Sequence, residues 1–235
     1  MAPENLVLSL KVDRIVKSLF VTILVLSMAS LTALGLRFYG GYEYAYGFVQ
    51  LFAVDMEGNI PTYFSSLLHL SSALLISLIA FDARQKGSAD RVKWTGMAAI
   101  FLFLSMDEAS SMHELLTYPM RELLGTSGIL YFAWVVPAMI ILIILAGIYW
   151  PFLRRLPKET FRGFLLAAFV FLSGAILMEF VGGWLAEQQG VDHLEFGMAT
   201  EVEEVLEMTG VVIFIRTLLI YLNKHVDSLG ISFER

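Results

Sequence analysis

Apolar and polar residues alternate along this chain in blocks rather than in stripes. Apolar runs of about twenty residues, the length that crosses a ~30 Å hydrocarbon core as helix, occupy roughly residues 15–36, 61–81, 94–116, 129–150, 163–186 and 198–222. Short charged stretches separate them. The pattern predicts an all-α fold, a polytopic membrane bundle of six transmembrane helices in a single domain spanning residues 1–235. The first run exceeds the 7–15 apolar residues typical of a signal peptide and lacks a small-x-small cleavage site, so it is read as a retained helix. Tyr39, Tyr42, Tyr44, Tyr46 and Phe48 crowd the connection after it. Those rings suit the headgroup boundary and predict a partly ordered interfacial segment.

Charge gives the bundle a direction. Arg84, Lys86, Arg91 and Lys93 share one connection, and Arg154, Arg155, Lys158 and Arg162 share another. The N-terminal tail adds Lys11, Arg14 and Lys17, and the C-terminal tail Lys224 and Arg235. The alternate connections hold Asp55 and Glu57, Arg121 and Glu122, Asp192 and Glu195, with few cations. Because Lys and Arg favour the cytoplasmic side, both termini are expected inside and the connections near 38–60, 118–128 and 188–197 outside. The expected setting is a cell membrane, specifically a bacterial inner membrane, with the lipid bilayer as the main partner. A membrane-protein partner or a second copy of the chain remains open.

Composition narrows the chemistry. Hydrophobic residues make up 57% of the chain and charged residues 16%, against roughly 25% charged in soluble domains. No cysteine is present, which excludes disulfides, thiolate metal sites and cysteine catalysis. No phosphate-binding glycine loop, G-x-S-x-G, H-E-x-x-H or basic nucleic-acid patch occurs, so nucleic acid is not an expected partner.

The informative residues are the ionisable ones inside apolar runs. The third run contains Asp107, Glu108, His113 and Glu114; the fifth contains Glu179; the sixth opens with Glu201, Glu203, Glu204 and Glu207; the second contains His69. Counted from the expected outer ends, Glu108, Glu179, Glu207 and His69 lie at similar depth, roughly 12–14 Å down at 1.5 Å per residue. In a continuous helix Asp107 and Glu114 fall nearly eclipsed, and Glu203, Glu204 and Glu207 share an arc of about 100°. Each buried carboxylate costs ~2.5–3.5 kcal/mol to insert, so protons, a basic partner or a metal must compensate them. Acids with histidine and no cysteine fit iron, manganese or zinc, with calcium less favoured. The expected ligands are Asp107, His113, Glu114, Glu179, Glu204 and Glu207; Glu108, Glu203 and His69 are expected as supporting or proton-relay groups.

Ordinary structural roles compete with this at several positions. Thr200-x-x-Glu203 has the form of a helix capping box, and Glu201 would sit in a first turn where the helix dipole favours an acid. His69 is flanked by serines and could serve an interhelical hydrogen bond.

The runs D-E-A-S-S-M-H-E (107–114) and E-V-E-E-V-L-E-M-T-G (201–210) resemble a pattern in uncharacterised bacterial multi-pass membrane proteins, which implies no activity. In site chemistry alone, acids and histidine on four helices are also similar to ferritin-like di-iron carboxylate bundles. That resemblance implies a metal-bearing bundle, although the residue three before His113 is Ser110, where those proteins carry glutamate. Three functions are compatible with these features: a metal-binding membrane protein, such as a metal-dependent oxidoreductase or hydrolase; a proton- or cation-translocating transporter using the same acids; or an accessory subunit of a larger membrane complex.

Overall fold

The computed structural model describes residues 11–226; Arg235 of the C-terminal tail lies outside them. The described residues are helical and contain no strand. In order they form α1 (Val12–Phe38), a short α2 (Phe48–Phe52), α3 (Ile60–Gln85), α4 (Arg91–Ser110), α5 (Thr117–Leu124), α6 (Val135–Leu153), α7 (Lys158–Leu172), α8 (Glu179–Gln189) and α9 (Leu194–His225). A π-helical turn, Ser173–Met178, joins α7 to α8 in one rod. Among the described residues five rods are long and apolar enough to cross a membrane: α1, α3, α6, α7–α8 and α9. This is a multi-pass membrane bundle. α4 differs from these five because charge stands at both of its ends, Arg91 and Lys93 at one and Asp107 and Glu108 at the other.

α9 is the central post, with α1, α3 and α7 packed along it. Glycines set the closest approach, to α7 and the π turn. A Cβ on Gly163 would lie 2.4 Å from Thr217 Oγ1, one on Gly174 2.7 Å from the Glu203 carbonyl, and one on Gly210 2.6 Å from the Phe171 nitrogen. Small residues allow this spacing where no hydrophobic effect drives helices together in lipid. α3 and α4 are joined by a reciprocal serine pair: Ser66 Oγ donates to the Ser105 carbonyl at 2.8 Å and Ser105 Oγ to the Ser66 carbonyl at 2.9 Å. One end of the bundle is filled by Ile76, Trp94, Phe152, Phe164, Phe214 and Leu218. Val16, Ile23, Leu68, Met208 and Val212 fill the space between α1, α3 and α9. α6 stays peripheral, with Ile140, Ile141, Ile143 and Ile144 exposed.

Three boundaries differ from the sequence expectation. α4 stops at Ser110 instead of running to residue 116: Ser111 turns left-handed (φ 49°), and His113–Leu116 form a separate 3-10 turn. The Ser110 hydroxyl bonds back to the Met106 carbonyl, the local competition that serines offer to a helix. The helix after residue 129 starts only at Val135. α9 begins at Leu194, so Thr200 and Glu203 are interior residues, and Thr200 Oγ1 donates to the Phe196 carbonyl at 3.2 Å. The expected capping box is therefore absent, and Glu201 is not at a helix end.

Candidate metal centre

Two chain breaks build the site. The first lies between α2 and α3. Ser30 Oγ accepts the Val54 N–H at 3.2 Å. Asn59 Nδ2 donates to the Ala53 carbonyl at 2.6 Å and also to that of Met56. Its Oδ1 accepts the Thr62 N–H at 3.0 Å and caps α3. Arg37 Nη1 reaches Asp55 Oδ2 at 2.6 Å and Nη2 reaches Asp192 Oδ1 at 2.5 Å. Gly58 supplies a positive φ of 69°, which lacks the Cβ penalty there. Glu57 sits inside this pinned loop.

The second break is the end of α4. Asp107 Oδ1 accepts the His113 backbone N–H at 2.9 Å, and Oδ2 pairs with His113 Nδ1 at 3.0 Å. Both oxygens of one carboxylate hold the turn and the imidazole together. With Nδ1 donating to Asp107, Nε2 carries the free lone pair, the carboxylate–histidine arrangement that orients metal-binding imidazoles. The Trp134 ring packs tilted against His113 at 4.5 Å between centroids, and its Nε1 donates to Glu179 Oε1 at 2.5 Å.

These breaks bring Glu57, His113 and Glu114 into one group, each offering a ligand atom within 4.8 Å of the others. Two ligand atoms on one tetrahedral metal with bonds of ~2.1 Å stand ~3.4 Å apart, so the side chains would have to close by up to about 1.4 Å to share an ion. Glu57 and Glu114 are exposed and His113 half-buried, so an ion here would be reachable from outside the bundle. Partial burial, and then the Glu114 charge, raise the Glu57 carboxyl from its ordinary 4.5 to about 7, while His113 acts in the opposite sense. Burial disfavours a charged His113, but its bond to Asp107 and the charges of Asp107, Glu114 and Glu179 outweigh burial and hold it above its ordinary value. The group thus attracts positive charge.

Behind it lies a chamber of acids. Glu179 and Glu203 meet side by side, and Glu108, Glu204 and Glu207 lie within electrostatic reach of one another. Glu204 also senses Glu57, and Glu179 senses Glu114 and His113, so these acids and the outer group lie within electrostatic range of one another. A π turn adds a residue to the local helix and rotates the succeeding turns by roughly 100°; Glu179 is the first residue after it. Gly174 within that turn lets Glu203 and Glu207 pass at contact distance. Glu201 accepts from Ser27 Oγ at 2.5 Å, while its buried Oε2 has no partner.

Of the sequence candidates, His113 and Glu114 fall in the ligand-distance group. Asp107 stands one bond behind His113, and Glu179, Glu204 and Glu207 line the chamber with Glu108 and Glu203. Asp107 and Glu114 are not eclipsed on one helix, because α4 ends between them. His69 is fully buried, its Nδ1 on the Ser65 carbonyl at 3.1 Å and its ring edge-on to Phe171; it lies outside the group. Sequence places Glu57 only in an outer connection. Its one local signal is the Gly58–Asn59 turn directly after it.

The chain belongs to the family described as a domain of unknown function, DUF8692, whose model matches residues 18–222. No curated protein and no solved structure matches it.

Proposed function

We propose that this chain is a cell-membrane metalloprotein whose transition-metal centre is held by Glu57, His113 and Glu114. In this reading Asp107 aligns His113, and the chamber of Glu108, Glu179, Glu203, Glu204 and Glu207 stores protons behind the metal. The observation that carries it is the convergence of three ligand atoms within 4.8 Å on an imidazole clamped from behind by a carboxylate. Mixed oxygen and nitrogen donors without sulfur favour iron, manganese or zinc over calcium. Three protein ligands leave coordination positions for water or substrate, as catalytic metal sites do. The activity that fits is a metal-dependent oxidation or hydrolysis; a bound metal would supply Lewis acidity or redox chemistry. This chain's residues would orient the imidazole, set the site's charge and exchange protons with it.

The topology that suits this reading has six crossings with both termini in the cytoplasm. Glu57 precedes α3 and His113 comes after α4, yet they meet. α4 must therefore retrace the path of α3, and its twenty residues reach ~30 Å. That supports α4 as the sixth span. An open ion path is less well supported. Phe101 stacks on Phe214 at 4.5 Å and Phe214 meets Phe164 at 4.7 Å, in an apolar core between the chamber and the other end of the bundle.

Elemental analysis of gently purified full-length protein tests the proposal. About one equivalent of iron, manganese or zinc is expected, falling below about one-tenth in Glu57→Gln and His113→Ala proteins that still fold. Wild-type protein that neither carries nor takes up any of these metals would overturn it.

A further inference from the structure

The opposite end of the bundle carries a different kind of site. Where α3 ends and α4 begins, Arg84, Arg91, Val92, Thr95 and Gly96 line an open cleft of about 760 Å³. The neighbouring charges are already committed. Asp82 pairs with Lys86 at 2.9 Å, Asp90 with Arg155 at 2.5 Å, and Lys93 donates to the Ile148 carbonyl at 3.3 Å. The guanidinium groups of Arg84 and Arg91 make no hydrogen bond or ion pair with any of the described residues. Two exposed guanidiniums thus share one cleft with no carboxylate to neutralise either of them. The planar fork of each matches phosphate oxygens two at a time.

The walls leading away from the cleft are apolar. On α3, Leu74, Leu78 and Phe81 are exposed at helical spacing and lead to Arg84; on α4, Val92, Leu102 and Met106 are exposed on the face that begins at Arg91. Both stripes belong to a tightly paired α3–α4 hairpin. The cleft therefore presents paired positive charge at one end of two helices whose exposed faces carry apolar side chains. A soluble anion would use only the first feature; a phospholipid uses both.

We infer that this cleft is a binding site for an anionic phospholipid, with its phosphate between Arg84 and Arg91 and its acyl chains along the exposed faces of α3 and α4. The site is remote from the acid chamber and does not depend on the metal. Basic pockets between membrane helices recognise anionic headgroups by this charge match.

Native mass spectrometry of the full chain in mild detergent tests it, with phosphatidylglycerol and phosphatidylcholine added at equal concentration. Wild-type protein should retain phosphatidylglycerol preferentially, and an Arg84→Gln/Arg91→Gln variant should bind it ~10-fold or more weakly, with phosphatidylcholine retention unchanged. A control variant, Arg154→Gln/Lys158→Gln, removes two charges from the same end of the bundle outside the cleft and should keep the preference. Equal loss in both variants, or equal retention of the two lipids by wild type, would overturn the site. Inorganic phosphate provides the remaining arm: millimolar phosphate binding to the arginines, without any preference for phosphatidylglycerol, would reassign the cleft to a soluble anion.

Discussion

Asp107→Asn is the sharpest perturbation of the proposed centre, because it replaces one carboxyl oxygen with an N–H₂ donor and changes almost no volume. In the native arrangement Oδ1 accepts the His113 N–H and Oδ2 faces Nδ1 at 3.0 Å. An asparagine would keep one acceptor for the backbone, where the turn needs it, and turn its amide N–H₂ toward Nδ1. Nδ1 would then have to accept, and the ring proton would move to Nε2, the nitrogen that the metal requires. Disturbing such a carboxylate–histidine pair costs 10–100-fold in metal affinity, or ~1.4–2.7 kcal/mol. Calorimetric titration of metal-stripped protein with Zn²⁺ or Mn²⁺ measures it. A double-mutant cycle with His113→Ala separates the roles: if Asp107 acts through the imidazole, Asp107→Asn should add little to a protein already lacking His113. The same loss in both backgrounds would make Asp107 a direct ligand, as the sequence alone suggested. Affinity within twofold of wild type, in a folded variant, would refute the alignment role.

Metal affinity should rise with pH between about 6 and 8, since Glu57 near 7 and the raised His113 must both shed protons to bind; a flat titration across that window would contradict the assignment. The sign reverses for folding without metal. A carboxyl raised from 4.5 to about 7 favours the folded state below pH 4.5 and loses that contribution as pH rises through 7, which thermal unfolding of stripped protein can track. Gly174→Ala should destabilise the bundle by ~1–3 kcal/mol through overpacking, because its Cβ would fall 2.7 Å from the Glu203 carbonyl. Alanine normally improves a helix, so an unchanged or higher unfolding temperature would disprove close packing at the π turn. Finally, the chain has no cysteine, so single cysteines report topology cleanly. An impermeant thiol reagent applied to intact cells should label Tyr44→Cys and leave Gln85→Cys untouched; labelling at residue 85 from outside would invert the bundle.

The features legible in the sequence are those set by forces that act locally along it. The apolar blocks are dictated by bilayer thickness, so the five long apolar rods can be located and roughly bounded from residue order alone. The acids inside those blocks stand out because an intramembrane carboxylate is costly wherever it points. Glu57 does not stand out, since an acid in a polar connection costs nothing; its placement depends on Ser30, Arg37 and Asn59 pinning that connection, with Arg37 also held by Asp192, 155 residues away. The end of α4 is hidden for a related reason. A 100° projection carried through Ser110 and Ser111 assumes the helix continues, whereas Asp107 closes the turn by bonding to His113. Thr200-x-x-Glu203 shows the opposite failure. The spacing is a real capping signal, but α9 starts six residues earlier, and Glu203 faces Glu179 instead.

The chamber and the exposed group have to be understood together on energetic grounds. Glu108, Glu179, Glu201, Glu203, Glu204 and Glu207 share the bundle interior, and no ion pair among the described residues links them to a lysine or arginine. At ~2.5–3.5 kcal/mol each, six ionised carboxylates would cost ~15–21 kcal/mol, as much as or more than the ~5–15 kcal/mol by which proteins are stable. Most of their charge must therefore be cancelled, and with no basic side chain among them the cancelling species are exchangeable. A dication at the proposed site of Glu57, His113 and Glu114 would add positive charge within electrostatic reach of Glu179 and Glu204. Its arrival makes carboxylates behind it easier to ionise, so binding should release more protons than the outer ligands alone hold. In the proposed reading these acids would act as a proton store whose filling the metal sets, so proton release on metal binding measures the coupling.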